Sequence, residues 1–255
     1  MIVQTDGVVL HAMKYRETSK IVSLYTKKFG KIKVIAKGVR SKKNKFGSSL
    51  EPMTISSVVV YKKQQKDLHL LSKSEIAVTL SDLYNHSDRM FIGLALIELV
   101  NMVMHDEEEN EAVYNLLVQA LQTLNDAQRN HLNIFLSFMV KLFEQFGFGL
   151  TLSKCLLCGK TIETVSAGVL RIRLSDGKII CPDCASAHHT GGMDIPGGVV
   201  KSLHYFHNND IQKAQLLTLT PSVKQDALSI LQSYLRYHVD GIRTLRSLSL
   251  LYSTQ

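Results

Sequence analysis

Four cysteines fall in one stretch of the chain, as Cys155-Leu156-Leu157-Cys158, then 22 residues, then Cys181-Pro182-Asp183-Cys184. Two C-x-x-C knuckles bring four thiolates to the corners of one tetrahedron, the arrangement that Zn2+ favours in structural sites. The gap slightly exceeds the usual spacing of about 15–20 residues. Val169 to Leu174 with Lys178 to Ile180 would fill it as a small hairpin. Four protein ligands close such a site and leave no position for a reacting water, so metal-catalysed hydrolysis is not expected there. Disulfides are the competing reading, and a reducing cytosol argues against them. A redox dithiol would need only one of the two pairs. His188 and His189 follow the second knuckle, and either is an alternative ligand.

A second chemistry lies near the N-terminus, in the cations. Lys31, Lys33 and Lys37 are separated by Ile32, Val34 and Ala36, and Arg40, Lys42, Lys43 and Lys45 follow in a loop. Side chains on a strand alternate faces. One face of this strand can therefore join a core while the other presents a row of ammonium groups. Lys14, Arg16 and Lys20 add to the row. So much like charge is unfavourable unless a polyanion meets it, and a nucleic-acid backbone is the most economical polyanion. These ten residues are the candidate phosphate contacts. An Arg40–Lys45 loop suits a non-specific clamp, because phosphates need charge more than exact geometry.

The overall charge has the same bias. Of the 255 residues, the first 80 hold 16 Lys/Arg and 5 Asp/Glu, whereas residues 81–255 hold 14 and 17. The net +8 is thus +11 in the first third and −3 in the rest. Apolar content of 45% and only 4 prolines describe an ordered globular protein. The longest apolar run, Met90 to Met104, contains Glu98 and Asn101 and is shorter than the roughly 20 residues a membrane span needs. It reads as a buried helix. The first residues carry no basic segment followed by an apolar one, so a cytoplasmic protein is expected.

The elements that must position these groups are of two kinds. Strands are predicted at Ile2–Lys14, with a bulge at Gly7, and at Lys20–Thr26, Gly30–Lys37, Thr54–Lys62 and Leu68–Val78. The fold class expected is α+β, with a five-stranded OB-type β-barrel at the N-terminus (residues 1–80). Such barrels pair a basic groove with aromatic faces, and Tyr15, Tyr25, Phe29, Phe46 and Tyr61 lie among the cations. From about residue 80 the period lengthens to that of helices. Helices are expected at 90–104, 108–124, 132–146, 196–208 and 223–239, with a last turn at 245–251. Residues 81–255 thus form an all-α domain carrying a four-cysteine zinc module at about 153–190. Asp106 to Glu109 is read as a solvated connector. Phe135, Phe138 and Phe143 keep helical spacing and read as core.

The chain resembles a known family at an ordered set of places. These are Tyr15-x-Glu17-x-Ser19-Lys20-Ile21-Val22, Tyr25-Thr26, Gly30-Lys31, Ala36-Lys37-Gly38-Val39-Arg40, Phe46-Gly47 and Glu51-Pro52. Further on come Leu96-Ile97-Glu98-Leu99-Val100, Phe146-Gly147-Phe148 before the first knuckle, Tyr237-His238, and Leu245-Arg246-Ser247-Leu248. Together they resemble the bacterial DNA repair protein RecO family. The resemblance implies a recombination mediator without enzymatic activity. It would bind single- and double-stranded DNA, anneal complementary strands and, with RecR and sometimes RecF, help load RecA onto strands covered by single-stranded DNA-binding protein (SSB). It also implies contact with the tail of that binding protein, and a zinc-binding insert that not every member retains.

Other functions stay open on the residues alone. An RNA- or ribosome-associated OB module with a zinc knuckle has the same composition. A metal-dependent nuclease would need a carboxylate cluster for paired metal ions, and Asp106 to Glu109 is only a single run. A scaffold that binds a partner through its helices is the third possibility. No membrane contact or small-molecule substrate is expected, and without a heptad seam the expected state is a monomer.

Overall fold

The computed structural model describes residues 1–41, 44–62, 66–161, 168–187 and 191–253. Lys42, Lys43, His188 and His189 lie outside the described residues. The chain divides into two compact packing units, Met1–Asp126 with Thr244–Gln255, and Ala127–Arg243.

The first unit begins with five strands: β1 (Ile2–Tyr15), β2 (Ser19–Thr26), β3 (Gly30–Ala36), β4 (Ile55–Tyr61) and β5 (Leu68–Val78). They close into a barrel in the order β1-β2-β3-β5-β4. β3 and β5 pair parallel and the other neighbours antiparallel, as in an OB-type barrel. The alternation in the sequence does the sorting. Val22, Leu24, Ile32, Val34, Val58, Val60 and Leu71 point inward, and Val39, Phe46 and Leu50 of the β3–β4 loop join the same core. The register slips between Val9 and His11, so the bulge lies at Leu10 while Gly7 pairs regularly with Thr26.

Helices α1 (Ser81–Asn85), α2 (Ser87–Val103) and α3 (Glu111–Asp126) complete the N-terminal part of this unit. α2 is apolar nearly all round because it is buried among its neighbours, with Ile92, Leu96, Leu99 and Val100 inaccessible. Arg89 is buried too, and its guanidinium donates to the Asn125 carbonyl at 2.7 Å.

In the second unit, α4 (His131–Gln145) is the central helix, and Phe135, Phe138 and Phe143 are fully buried in the core. A small sheet follows, made of β6 (Thr151–Cys155), β7 (Val169–Arg173), β8 (Lys178–Ile180) and β9 (Met193–Pro196), ordered β6-β8-β7-β9. The expected hairpin is β7–β8; β6 and β9 flank it on either side. Helices α5 (Pro182–Ala187), α6 (Gly197–Asn208) and α7 (Pro221–His238) and a 3-10 helix at Ile211–Leu216 belong to the same unit. The Thr220 hydroxyl accepts from the Val223 N–H, and Pro221 occupies the first turn, so α7 starts at a well-formed cap. The chain then ends in α8 (Arg246–Ser253), which packs on α2 within the first unit. The Glu98 carboxylate accepts from the N–H groups of Arg246 and Ser247, both at 3.0 Å, and so caps α8.

Candidate nucleic-acid interface and metal centre

The cations of the barrel fall into two groups. The first is already paired. Lys20 Nζ lies 2.8 Å from Glu51 Oε1. Lys31 and Lys33 converge on one carboxylate, Asp106, at 3.4 and 2.8 Å. Lys31 also donates to the Asn101 carbonyl at 3.0 Å, and its side chain is only 13% exposed. Glu107 takes Lys62 at 3.0 Å and the buried His69 at 3.1 Å.

Asp106 and its neighbours stay exposed, as expected of a solvated connector, but they also dock on the barrel. They form a strap along the start of β3: the Glu107 N–H donates to the Lys31 carbonyl at 2.8 Å, and Asp106 forms a parallel bridge with Lys31. Gly30 makes room for it. Its φ is +58°, and a Cβ there would stand 2.0 Å from the Glu108 carbonyl oxygen. Burial alone would raise the carboxyl pKa of Asp106, but Lys33 and Lys31 outweigh it and hold the group below the usual range. The hydrogen bond from Lys62 does the same for Glu107.

The second group is open. Lys14 and Arg16 at the β1–β2 turn, Lys37 and Arg40 just past β3, and Lys45 in the long loop are exposed. No carboxylate among the described residues lies within ion-pair range of them. They are brought together by backbone contacts. Lys14 pairs with Lys20 in register, and Lys20 with Ala36. The Arg40 N–H donates to the Thr18 carbonyl at 3.0 Å and its guanidinium reaches the Arg16 carbonyl at 3.5 Å. Arg16 itself sits at φ +51°, with its guanidinium 5.3 Å from the Tyr15 ring centre. Lys45 reaches across to the Ser72 carbonyl at 2.9 Å and lies over the Phe46 ring.

The aromatic residues divide likewise. Tyr25 and Phe46 are core. The Tyr25 hydroxyl donates to the Asn110 carbonyl at 3.1 Å, and burial, with the Glu108 carboxylate adding to it, pushes its phenol far above the ordinary range. Tyr15 and Tyr61 remain accessible. The register also shows an accessible apolar row that sequence reading missed: Met13, Ile21, Ile35, Leu70 and Tyr61 are successive cross-strand partners on the outside of the barrel. Their alternation with core residues was legible, but which of them face one another depends on register.

In the second unit the four cysteines meet. Cys155 ends β6, Cys158 lies in the turn after it, Cys181 follows β8 and Cys184 is in α5. All four sulfurs lie within 4.8 Å of one another, and Cys158 and Cys181 are 3.7 Å apart. A disulfide needs about 2.05 Å, whereas a tetrahedron with metal–sulfur bonds of about 2.3 Å has edges of about 3.8 Å. The set fits a metal ion. Burial tends to raise the Cys155 thiol, but the backbone N–H groups of Cys158, Cys181 and Leu157 overcome it and hold Cys155 at about 6. The hydrogen bond to Cys181, then burial, pushes Cys184 up to about 12.

Residues 1–79 match the family model "Recombination protein O N terminal", and residues 85–248 match "Recombination protein O C terminal". The chain belongs to the RecO family. Similar curated proteins, each called DNA repair protein RecO, include one from Salinibacter ruber that is 30% identical over 98% of this chain and 93% of its own length. Another, from Chloroherpeton thalassium, is 28% identical over 97% and 96%. A third, from Alkaliphilus metalliredigens, is 29% identical over 95% and 96%. In this RecO-family chain, two motifs far apart in sequence meet in the second unit. The His238 ring stacks on Phe148 with centres 4.5 Å apart, its Nε2 donates to the Leu174 carbonyl at 2.8 Å, and the Tyr234 hydroxyl donates to the Phe148 carbonyl. These contacts tie the segment leading to the first knuckle onto α7. Among the described residues no helix is long and apolar enough to cross a membrane.

Proposed function

We propose that this protein is a DNA-binding recombination mediator without catalytic activity. It holds single and double strands on the barrel and anneals complementary strands. With RecR, and in some settings RecF, it helps load RecA onto strands coated with single-stranded DNA-binding protein. The observation that carries this reading is the concentration of open cations, Lys14, Arg16, Lys37, Arg40 and Lys45, at one end of an OB-type barrel in a RecO-family chain. Two polyanions repel, and a surface that neutralises both lowers the cost of bringing them together. Annealing asks for no further chemistry.

In this reading the functional division falls near residue 80, with the barrel for nucleic acid and residues 81–255 for helper proteins. The four cysteines hold one structural Zn2+ per chain, which pins β6 and β8 to α5. The protein works as a cytoplasmic, nucleoid-associated monomer.

The test is strand annealing on DNA coated with single-stranded DNA-binding protein, at low and moderate salt. The expected result is acceleration that fades with salt and is lost in R16Q/K37Q/R40Q. No acceleration, with tight binding of structured RNA instead, would replace this reading with an RNA-associated one. Magnesium-dependent cleavage of the DNA would replace it with a nuclease.

A further inference from the structure

The strap at Asp106–Glu107 occupies part of the surface that the cation row would otherwise present. Asp106 spans Lys31 and Lys33, and Glu107 spans Lys62 and His69, so two carboxylates on adjacent residues engage three lysines. The strap is held by its backbone as well, through the Glu107 N–H and the bare Gly30. Glu107 takes a positive φ of +59° to make both contacts. These carboxylates take up ammonium groups that a strand running the length of β3 would otherwise meet. Lys33 and Lys62 are the cations the strap withholds; Lys31 has the Asn101 carbonyl as a second partner.

We infer that the acidic strap limits the nucleic-acid path, confining phosphate contact to the end of the barrel that carries Lys14, Arg16, Lys37, Arg40 and Lys45, and setting affinity below what the barrel's cations would give. The inference rests on the nucleic-acid reading of the barrel. Asp106 and Glu107 are thus affinity-determining residues that touch no nucleic acid. Removing their charge exposes Lys33 and Lys62 and lengthens the path along β3. Log K falls with log salt by about 0.7 per phosphate contact for single strands, so, relative to 1 M salt, each added contact is worth about 5-fold at 0.1 M and two about 25-fold.

The test is anisotropy with a labelled oligo-dT strand over a salt series, using the full chain, D106N/E107Q, and K33Q in both backgrounds. The expected result is tighter binding by D106N/E107Q at 0.1 M salt, up to about 25-fold, with a slope steeper by about 1.4. K33Q should be silent in the native background and should lower the gain in the neutralised one from about 25-fold to about 5-fold. If D106N/E107Q keeps its fold but binds with native affinity and slope, the strap only joins helices to barrel and the inference falls. If it unfolds, K33Q alone decides: a loss of affinity in the native background means Lys33 already meets phosphate, and the strap withholds nothing. R16Q/R40Q separates the two levels. Weakening by R16Q/R40Q with no effect of the strap sinks only this inference, whereas no binding by the native chain sinks the nucleic-acid reading with it.

Discussion

Gly30→Ala is the substitution whose cost can be worked out most directly. Gly30 lies at φ +58°, and an added Cβ would stand 2.0 Å from the Glu108 carbonyl oxygen and 2.4 Å from its carbon. Both are backbone atoms, so no side chain can swing away. The backbone conformation alone costs a residue with a Cβ about 1–2 kcal/mol. Displacing the strap adds an overpacking cost of about 1–3 kcal/mol. Gly47 supplies the control, because its φ is +53° and nothing lies within 4 Å of an added Cβ. Gly47→Ala should therefore show the conformational cost alone, and the difference between the two variants isolates the collision. Urea unfolding followed by circular dichroism would read it. G30A is expected to lose about 2–5 kcal/mol and G47A about 1–2. Equal losses in the two variants would refute the docking of Glu108 against β3.

Replacing Cys158 or Cys181 by Ser should reduce bound metal from about one ion per chain to none by elemental analysis. Hydrogen exchange should then quicken in β6–β9 and leave the barrel unchanged. The strap should make stability depend on pH. The carboxyl pKa values of Asp106 and Glu107 are depressed below 3.8 and 4.5, so their contribution is complete above those values and is lost as pH falls through the lowered ones. D106N/E107Q should accordingly flatten the acid limb of the urea midpoint as pH falls below about 4.5. Glu98→Ala should remove the cap from α8 at a cost of about 1 kcal/mol and hasten proteolysis near Thr244, with no change in bound metal.

The barrel was legible because its strands alternate cleanly: Leu68–Val78 is found as expected, and the other four differ only at their ends. The cysteine cluster was legible because its information is local, in two knuckles whose spacing already fits one ion. The ion pairs of the barrel were not. Lys31 and Lys33 look identical to Lys37 in the sequence, yet two of them meet Asp106, some seventy residues along the chain. Only the fold brings that carboxylate to β3. The run Asp106–Glu109 has the composition of a solvated turn, and the clue to its docking was Gly30 rather than the acids. β6 and β9 escaped notice because each is short and gains its partners from residues far along the chain. The return of α8 to α2 likewise depends on Glu98, one acid in an otherwise apolar helix.

The account stands or falls on whether the hairpin end of the barrel holds phosphate by charge. Its most direct test is the salt dependence of single-strand affinity for the native chain and for R16Q/K37Q/R40Q. The five open cations among the described residues at that end predict a slope of log K against log salt near −3.5, and losing three of them should make it shallower by about 2 for every DNA sequence tried. A native slope near zero, or a triple variant with the native slope and affinity, would contradict it.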